Sequence, residues 1–285
     1  MDYKDILVIF TDPKAAPRLI DAAMAVARSK NATLVGLYLV PPITLFSGGL
    51  PYSGSVTEIK ALEAIEQQTR STAAADAAAT ERLLRTRADS AGLAVEWRFA
   101  EADLGQTAIL HARHADLAIV GQRDPRNPAA DAPHLVESVV LGCGRPVIVV
   151  PYVGHYDVIG RNVLVAWNAT REGARAVNDA LPLLVEADKV VVMSVNPPDA
   201  AAGGPPWPAA EIAHHLARHG VKAEATSTVS HDIDVGNVIL SRAADFGSDL
   251  LVMGGYGHSR QREQIMGGAT RTLLEHMTLP VMFSH

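Results

Sequence analysis

Short apolar runs alternate with segments of helical periodicity along most of the chain. The apolar runs are rich in β-branched residues, which indicates strands buried on both faces. They cover residues 5–11, 33–40, 116–121, 146–150, 162–168, 189–195, 249–254 and 280–283. Between them, residues 15–30 and 170–187 carry apolar side chains at helical spacing, for example Ala176, Ala180 and Leu184. Strands separated by helices predict an α/β fold in which helices cover both faces of a doubly wound parallel sheet.

The two halves of the chain repeat one another. The matched pairs are 5–11 with 162–168, 33–42 with 189–198, 103–106 with 234–237, 116–121 with 249–254 and 146–150 with 280–283. Matches in the same order indicate a duplication, so we predict two tandem doubly wound domains, at residues 1–153 and 160–285. Residues 152–160 are the expected linker. The halves are expected to pack through their closing strands or adjoining faces, as an intramolecular pseudo-dimer.

Two segments interrupt the repeat. Residues 41–55 and 197–208 are rich in Gly, Pro and small residues, which predicts loops. A long Ala/Glu/Arg-rich helical segment follows the first of them and extends to about residue 91. We expect both loops to be lids or surface connectors.

A glycine-rich segment follows the apolar run 249–253. It reads Gly254-Gly255-Tyr256-Gly257 and, after nine further residues, Gly267-Gly268-Ala269-Thr270. Glycine has no Cβ that would hold a ligand away from the backbone, and the free N–H groups and dipole of a helix start favour an anion. The segment predicts a phosphate-binding loop at a strand end, where doubly wound sheets bind ligands. The alternative is that its glycines only permit close packing of a helix.

The spacing Gly254-x2-Gly257-x9-Gly267, after an Asp-Leu-Leu-Val-Met strand, resembles the ATP-binding signature of the universal stress protein family. The Asn168 loop, the paired prolines after the second strand of each half and the proline-led closing strands agree with it. The resemblance covers nearly the whole chain. It implies an adenine nucleotide alpha hydrolase-like, Rossmann-like fold that binds ATP, AMP or ADP, with Mg²⁺ as a candidate second cofactor.

The resemblance also implies which residues surround the nucleotide. Asn168 stands in place of a family aspartate near the ribose, and its amide can still bond sugar hydroxyls. Gly268 replaces the usual Ser or Thr, and Thr270 is expected to supply the missing hydroxyl. The backbone of Val195 takes the position that pairs with adenine, and Arg260 is the preferred phosphate partner. The implied binding residues are Ala166, Trp167, Asn168, Val195, Met253, Gly254, Gly257, Arg260, Gly267, Gly268, Ala269 and Thr270.

The first half departs from this pattern. Gly121 is retained, but Asp124 stands where the second motif glycine would be, and its carboxylate would repel phosphate. The expected helix start near His134 lacks paired glycines. We therefore predict one nucleotide site, in the second half, with the first half as a degenerate partner.

Composition and charge indicate the cellular compartment and exclude some classes of partner. The chain has 285 residues, a hydrophobic fraction of 48% and a formal net charge of −6, without the basic block that nucleic-acid binding requires. No apolar stretch approaches the roughly 20 residues that cross a bilayer, and the first residues lack the regions of a signal peptide. The single cysteine, Cys143, fits a reducing compartment. We expect a cytoplasmic protein without nucleic-acid or membrane partners, for which pairing into a homodimer stays open.

Other chemistries find less support. The sequence has no P-loop, no Gly-x-Gly-x-x-Gly turn and no Gly-x-Ser-x-Gly elbow. His215 with His219, and His111 with His114, have the spacing of metal ligands but no clear third ligand; His231 is expected near the crevice as a loop residue. No catalytic base is evident. The leading hypothesis is a stress-response regulator that binds ATP with little or no hydrolysis. The alternatives are a non-nucleotide interaction module with a vestigial site, and a slow ATPase.

Overall fold

A computed structural model of the protein describes residues 2–43, 56–127, 134–197, 209–230, 232–256 and 268–285. The first half contains β1 (Asp5–Phe10), α1 (Ala16–Lys30), β2 (Thr33–Val40), α2 (Val56–Asp89), β3 (Val95–Glu101), α3 (Leu104–Ala112), β4 (Leu117–Gly121), α4 (Leu135–Gly142) and β5 (Val147–Val150). The second half contains β6 (Asn162–Ala166), α5 (Arg171–Leu184), β7 (Lys189–Val195), α6 (Ala209–Arg218), β8 (Ala223–Thr228), α7 (Val235–Asp245), β9 (Leu250–Gly254), α8 (Gly268–His276) and β10 (Val281–Ser284). Most of both predicted loops, His231 and residues 257–267 of the glycine-rich segment lie outside the described residues.

The strands of the described residues form one continuous sheet, in the order β3-β2-β1-β4-β5-β10-β9-β6-β7-β8. Neighbouring strands within each half are parallel, and the strand order is the same in both halves. The prediction of a doubly wound parallel sheet in each half is confirmed. The halves join where β5 pairs antiparallel with β10, with Val147 opposite Phe283 and Val149 opposite Val281. The carboxyl ends of the strands of the two halves therefore lie at opposite edges of the sheet.

Helices cover both faces of the sheet. Alternate strand residues point to opposite faces and therefore belong to two separate buried clusters. Ile6 and Val8 of β1 belong to a buried cluster that includes residues of α1, α2, α5 and α6. Leu7 and Ile9 belong to a second cluster, with residues of α3, α4, α7 and α8. Each cluster extends through both halves. In the part of the chain that the structure describes, no helix is both long and apolar enough to cross a bilayer.

An aspartate repeated in both halves fixes the first strand beside the fourth. The Asp116 carboxylate, just before β4, accepts the N–H of Lys4 at 2.7 Å. Asp249, just before β9, accepts the N–H of Asn162 at 2.9 Å. These carboxylates satisfy donors at strand starts that would otherwise lack a partner. The repeated aspartates thus have a structural reason in each half.

Side chains also join α1 to α5 across the boundary between the halves. The Lys30 side chain is only 2% exposed, and its ammonium lies 2.5 Å from the Glu186 carboxylate. It also donates to the Pro182 carbonyl at 2.5 Å, in the last turn of α5, where carbonyls have no partner within the helix. The Tyr3 hydroxyl donates to the Asp179 carbonyl at 2.6 Å. These bonds hold the two halves together on one face of the sheet.

Two glycines at equivalent strand ends have different surroundings. Gly254 ends β9 against the start of α5, and a Cβ built there would lie 2.6 Å from the carbonyl carbon of Glu172 and from the nitrogen of Gly173. Gly121 ends β4, and its Cβ would meet the Leu19 side chain at 3.6 Å, an ordinary contact. Close packing of helix and strand therefore requires glycine at position 254 but not at position 121.

We predict that Gly254→Ala lowers the free energy of unfolding by about 1–3 kcal/mol, because backbone atoms of α5 must move to admit the methyl group. Gly121→Ala is the matched control and is expected to stay within about 0.5 kcal/mol of the parent chain. Urea unfolding followed by circular dichroism measures both values. Equal losses of stability in the two variants would show that the contact with α5 is not the reason for glycine at position 254.

A second prediction concerns the contact between the halves. Lys30→Met is expected to cost about 1–3 kcal/mol, because it leaves the Pro182 carbonyl and Glu186 without their buried partner. Lys189→Met removes the ion pair with Glu224, in which the side chains are 47% and 71% exposed, and is expected to cost less than about 1 kcal/mol. The urea midpoints of the two variants test this difference. A loss for Lys30→Met no larger than that of the control contradicts it.

Candidate functional site

The strand order of the second half reverses between β6 and β9, which is where doubly wound sheets bind ligands. Ala166, at the end of β6, pairs in register with Met253 of β9, and Gly254 follows Met253. Val195 ends β7 on the other side of β6. The structure thus places the predicted site residues of three different strands at one edge of the sheet.

The loop between β6 and α5 holds Asn168 in a tight turn. Asn168 is exposed, and its Oδ1 accepts a hydrogen bond from the Thr170 hydroxyl at 2.9 Å. The Thr170 hydroxyl accepts the N–H of Gly173 at 3.2 Å and so caps α5. The backbone N–H of Trp167 donates to the Met193 carbonyl at 2.8 Å. Since the Asn168 oxygen is engaged in the turn, its amide nitrogen is the group suited to a ligand.

The first turn after β9 directs its N–H groups into the protein. The N–H of Gly255 donates to the Ser284 carbonyl at 2.9 Å. The N–H of Tyr256 donates to the Thr270 hydroxyl at 3.4 Å, and Tyr256 has a φ of 60°, a left-handed conformation that is uncommon outside glycine. Phosphate donors of this segment must therefore come from later residues. Three of those predicted, Gly257, Arg260 and Gly267, lie outside the described residues.

Thr270 closes the glycine-rich segment at its other end. Its side chain is buried, and its hydroxyl, having accepted the Tyr256 N–H, keeps its own hydrogen for donation. Gly268 and Ala269 open α8, where the first N–H groups have no partner within the helix. The bond between positions 256 and 270 therefore places the start of α8 beside the end of β9.

Glu172 is a site residue that the sequence analysis missed. Its side chain is 6% exposed and is ion-paired with Arg171. Its backbone and Cβ pack against Gly254. Burial acts to raise the pKa of Glu172, but the hydrogen bond from Arg171, a backbone hydrogen bond and the Arg171 charge outweigh burial and lower it. The carboxylate is therefore charged at neutral pH. No sequence signal distinguished it, because acidic residues at helix starts are common and mostly exposed.

Asp234 brings a second carboxylate to this region. One oxygen caps α7 by accepting the N–H of Gly236 at 2.9 Å. The other lies 3.7 Å from the position that a Cβ on Gly268 would occupy. Gly236 itself leaves room for Thr272, since a Cβ there would lie 2.7 Å from the Thr272 side chain. The Asp-x-Gly sequence repeated in both halves was the available signal for this arrangement.

The two histidine pairs with the spacing of metal ligands make contacts outside this site. The rings of His215, on α6, and His219, just after its end, lie 4.8 Å apart. His111 Nδ1 lies 3.0 Å from a guanidinium nitrogen of Arg98, and burial together with the Arg98 charge lowers the pKa of His111. Among the described residues, no three His, Cys, Asp or Glu side chains are grouped to hold a metal ion.

The first half carries a cavity at the equivalent strand ends, those of β1 and β4. Its volume is about 620 Å³. Asp124, which the sequence predicts to repel phosphate, is bound by Arg126 through two side-chain hydrogen bonds of 3.0 and 3.2 Å. This pairing lowers the pKa of Asp124, so the carboxylate is charged but offset by a neighbouring cation.

Comparisons with known proteins agree with this architecture. The sequence model of the universal stress protein family matches residues 2–151 and 160–285. A universal stress protein from Archaeoglobus fulgidus DSM 4304 is similar in structure, with a TM-score of 0.62 and 12% identity over 98% of this chain and 97% of its own.

Two structures from Pseudomonas aeruginosa also match. A functionally unknown protein from strain PAO1 has a TM-score of 0.57 and 13% identity over 99% of this chain and 92% of its own. A putative universal stress protein from strain UCBPP-PA14 has a TM-score of 0.57 and 14% identity over 99% of this chain and 93% of its own. No curated protein matches the chain. Because the family's sequence model matches both halves, the chain belongs to the universal stress protein family.

Proposed function

We propose that the second half, residues 160–285, binds an adenine nucleotide: ATP, or one of AMP and ADP. The bound nucleotide acts as a regulatory signal, with little or no hydrolysis, and the first half, residues 1–153, is the degenerate partner. Family membership and the glycine-rich segment beside the ends of β6 and β9 support the proposal. The single buried thiol of Cys143 and the net charge of −6 favour the cytoplasm and no nucleic-acid partner.

The observation that carries the proposal is the hydrogen bond between the Tyr256 N–H and the Thr270 hydroxyl. It joins the described ends of the glycine-rich segment, so Tyr256, after β9, and Thr270, in α8, lie together at the same edge of the sheet. The N–H groups of Gly268 and Ala269, which have no partner within α8, and the dipole of α8 favour a phosphate group there. At the end of β6, the Asn168 amide suits a ribose hydroxyl.

Two carboxylates add negative charge to the second half near the start of α5 and of α8. Glu172 and Asp234 add negative charge near the place proposed for the phosphates, and this charge opposes a bare anion. Arg171 offsets part of it through its ion pair with Glu172. A Mg²⁺ ion carried by the nucleotide offsets more, since divalent cations neutralise phosphate charge. We therefore infer that Mg²⁺-bound ATP is preferred over free ATP.

A second candidate function is a non-nucleotide interaction module with a vestigial site. It is favoured by the internal use of the Gly255 and Tyr256 N–H groups and of the Asn168 oxygen. In that case the strand edge is closed by the protein's own bonds, and nucleotide does not bind even at millimolar concentration.

Isothermal titration calorimetry with ATP and Mg²⁺ separates the two candidates. We expect saturable binding by the parent chain, and a loss of at least about 100-fold in affinity for Gly267→Val, equivalent to about 2.7 kcal/mol. Gly121→Ala, at the equivalent strand end of the first half, is the control and is expected to bind like the parent. Absence of heat at millimolar nucleotide rejects nucleotide binding and favours the interaction module.

A further prediction tests the charge argument. Asn168→Asp keeps the oxygen that accepts from Thr170 but adds a negative charge, which attracts Mg²⁺ and repels free phosphate. We expect the ratio of the ATP affinities measured with Mg²⁺ and with EDTA to rise by about tenfold. Asn178→Asp adds the same charge at an exposed position of α5 and should leave the ratio unchanged. The same ratio in both variants contradicts the proposed position of the nucleotide.

A further inference from the structure

Strand β3, at one end of the sheet, presents charged side chains to α3. In the described part of the chain, β3 pairs with β2 alone. Alternate residues of a strand point to opposite faces. Val95 and Trp97 pack against the buried cluster that contains α1 and α2, and Ala100 packs against the cluster that contains α3 and α4. Glu96 and Arg98 therefore lie on the same face as Ala100, the face that α3 covers.

The contact between β3 and α3 depends on a neutral histidine. A guanidinium nitrogen of Arg98 lies 3.0 Å from Nδ1 of His111, in α3. Because arginine has N–H donors and no acceptor, Nδ1 accepts this hydrogen bond and carries no proton itself. A protonated His111 would have only donors and would face the guanidinium as a second cation. The hydrogen bond therefore exists only while His111 is neutral.

The charged groups nearby do not replace this hydrogen bond when His111 gains a proton. Glu96 accepts from another guanidinium nitrogen of Arg98 at 3.1 Å, and its side chain is 60% exposed. His114, just after α3, is exposed, and its ring is bonded to a backbone carbonyl of α3. The neighbouring β2 and α4 contribute apolar residues to this face. Arg98 thus keeps an exposed partner in Glu96 when it separates from His111.

The second half carries no histidine at the equivalent positions. In the repeat, Thr226 of β8 corresponds to Arg98, and Arg242 of α7 corresponds to His111. Arg242 pairs with Asp245 at 3.1 Å. Strand β8, at the other end of the sheet, is therefore an internal reference that lacks this contact.

We propose that the hydrogen bond from Arg98 to His111 is an acid-sensitive contact, which holds β3 against α3 at neutral pH and opens when His111 takes up a proton. Burial and the charges of Arg98 and His114 lower the pKa of His111 below its ordinary 6.5. The open form therefore takes up the proton more readily than the closed form. The stability that the contact contributes is present above about pH 6.5 and is lost as the pH falls through the lowered pKa.

Hydrogen–deuterium exchange of the β3 amides at pH 7.5 and pH 5.0 tests the proposal, with rates corrected for the intrinsic effect of pH. In the parent chain we expect β3 to exchange at least about threefold faster at pH 5.0, while the corrected rates of β8 stay unchanged. His111→Gln has a neutral amide that can still accept from Arg98, so it should abolish the acid response. His111→Lys carries a permanent charge and should give fast exchange of β3 already at pH 7.5.

Matched controls separate this contact from general effects of acid. His114→Gln removes the neighbouring exposed ring and should leave the acid response of β3 in place, and β8 reports whether each variant keeps the overall fold. An NMR titration of the His111 ring should give a pKa below 6.5, and the exchange of β3 should follow the same titration. The proposal is overturned if β3 exchanges equally at both pH values, if His111→Gln keeps the acid response, or if His111→Lys exchanges like the parent at pH 7.5.

Discussion

The antiparallel pairing of β5 with β10 determines where both candidate sites lie. Parallel strands send their carboxyl ends to one edge of a sheet, and the antiparallel junction puts the two halves at opposite edges. The helix after the fourth strand of each half runs back across the sheet, so α8 begins at the crevice of the second half and ends at the cavity of the first. Its nine residues span about 13 Å at 1.5 Å per residue. Helix α4 makes the reciprocal contact, with Val140 against Gly255. A helix of each half therefore packs beside the strand ends of the other half.

The glycines show that one sequence motif can reflect either ligand binding or close packing of the backbone. Gly254 fits the expected phosphate-binding spacing, yet its missing Cβ is already explained by the start of α5 packed against it. Gly236 and Gly36 have the same explanation, since a Cβ on either would overlap a neighbouring side chain. The start of α8, and not the glycine at the strand end, is therefore the feature that supports a ligand. There the first N–H groups have no partner within the helix.

Most of the fold could be predicted because buried parallel strands leave a continuous apolar run, and the duplication repeats each run in order. The antiparallel junction of β5 with β10 could not be predicted, because Val147 and Phe283 suit strand pairing and packing between faces equally well. Backbone hydrogen bonds between strands also leave no pattern in the side chains. Strand-end residues such as Asn168 could be assigned to one edge because parallel strands end together. The burial of Glu172 and the hydrogen bond from Gln122 to α8 could not be predicted. Both depend on contacts between segments that are distant in sequence, which hydrophobic periodicity does not reveal.

The shared helix α8 raises the question of whether the two sites are coupled. Coupling requires an element with two positions whose balance both ligands shift. Helix α8 is bonded at its start, where Thr270 accepts the Tyr256 N–H, and near its end, where the Leu274 carbonyl accepts from Gln122. A short helix held at both ends is poorly suited to such a movement. Helix α8 therefore contributes to both sites without being a means of coupling them.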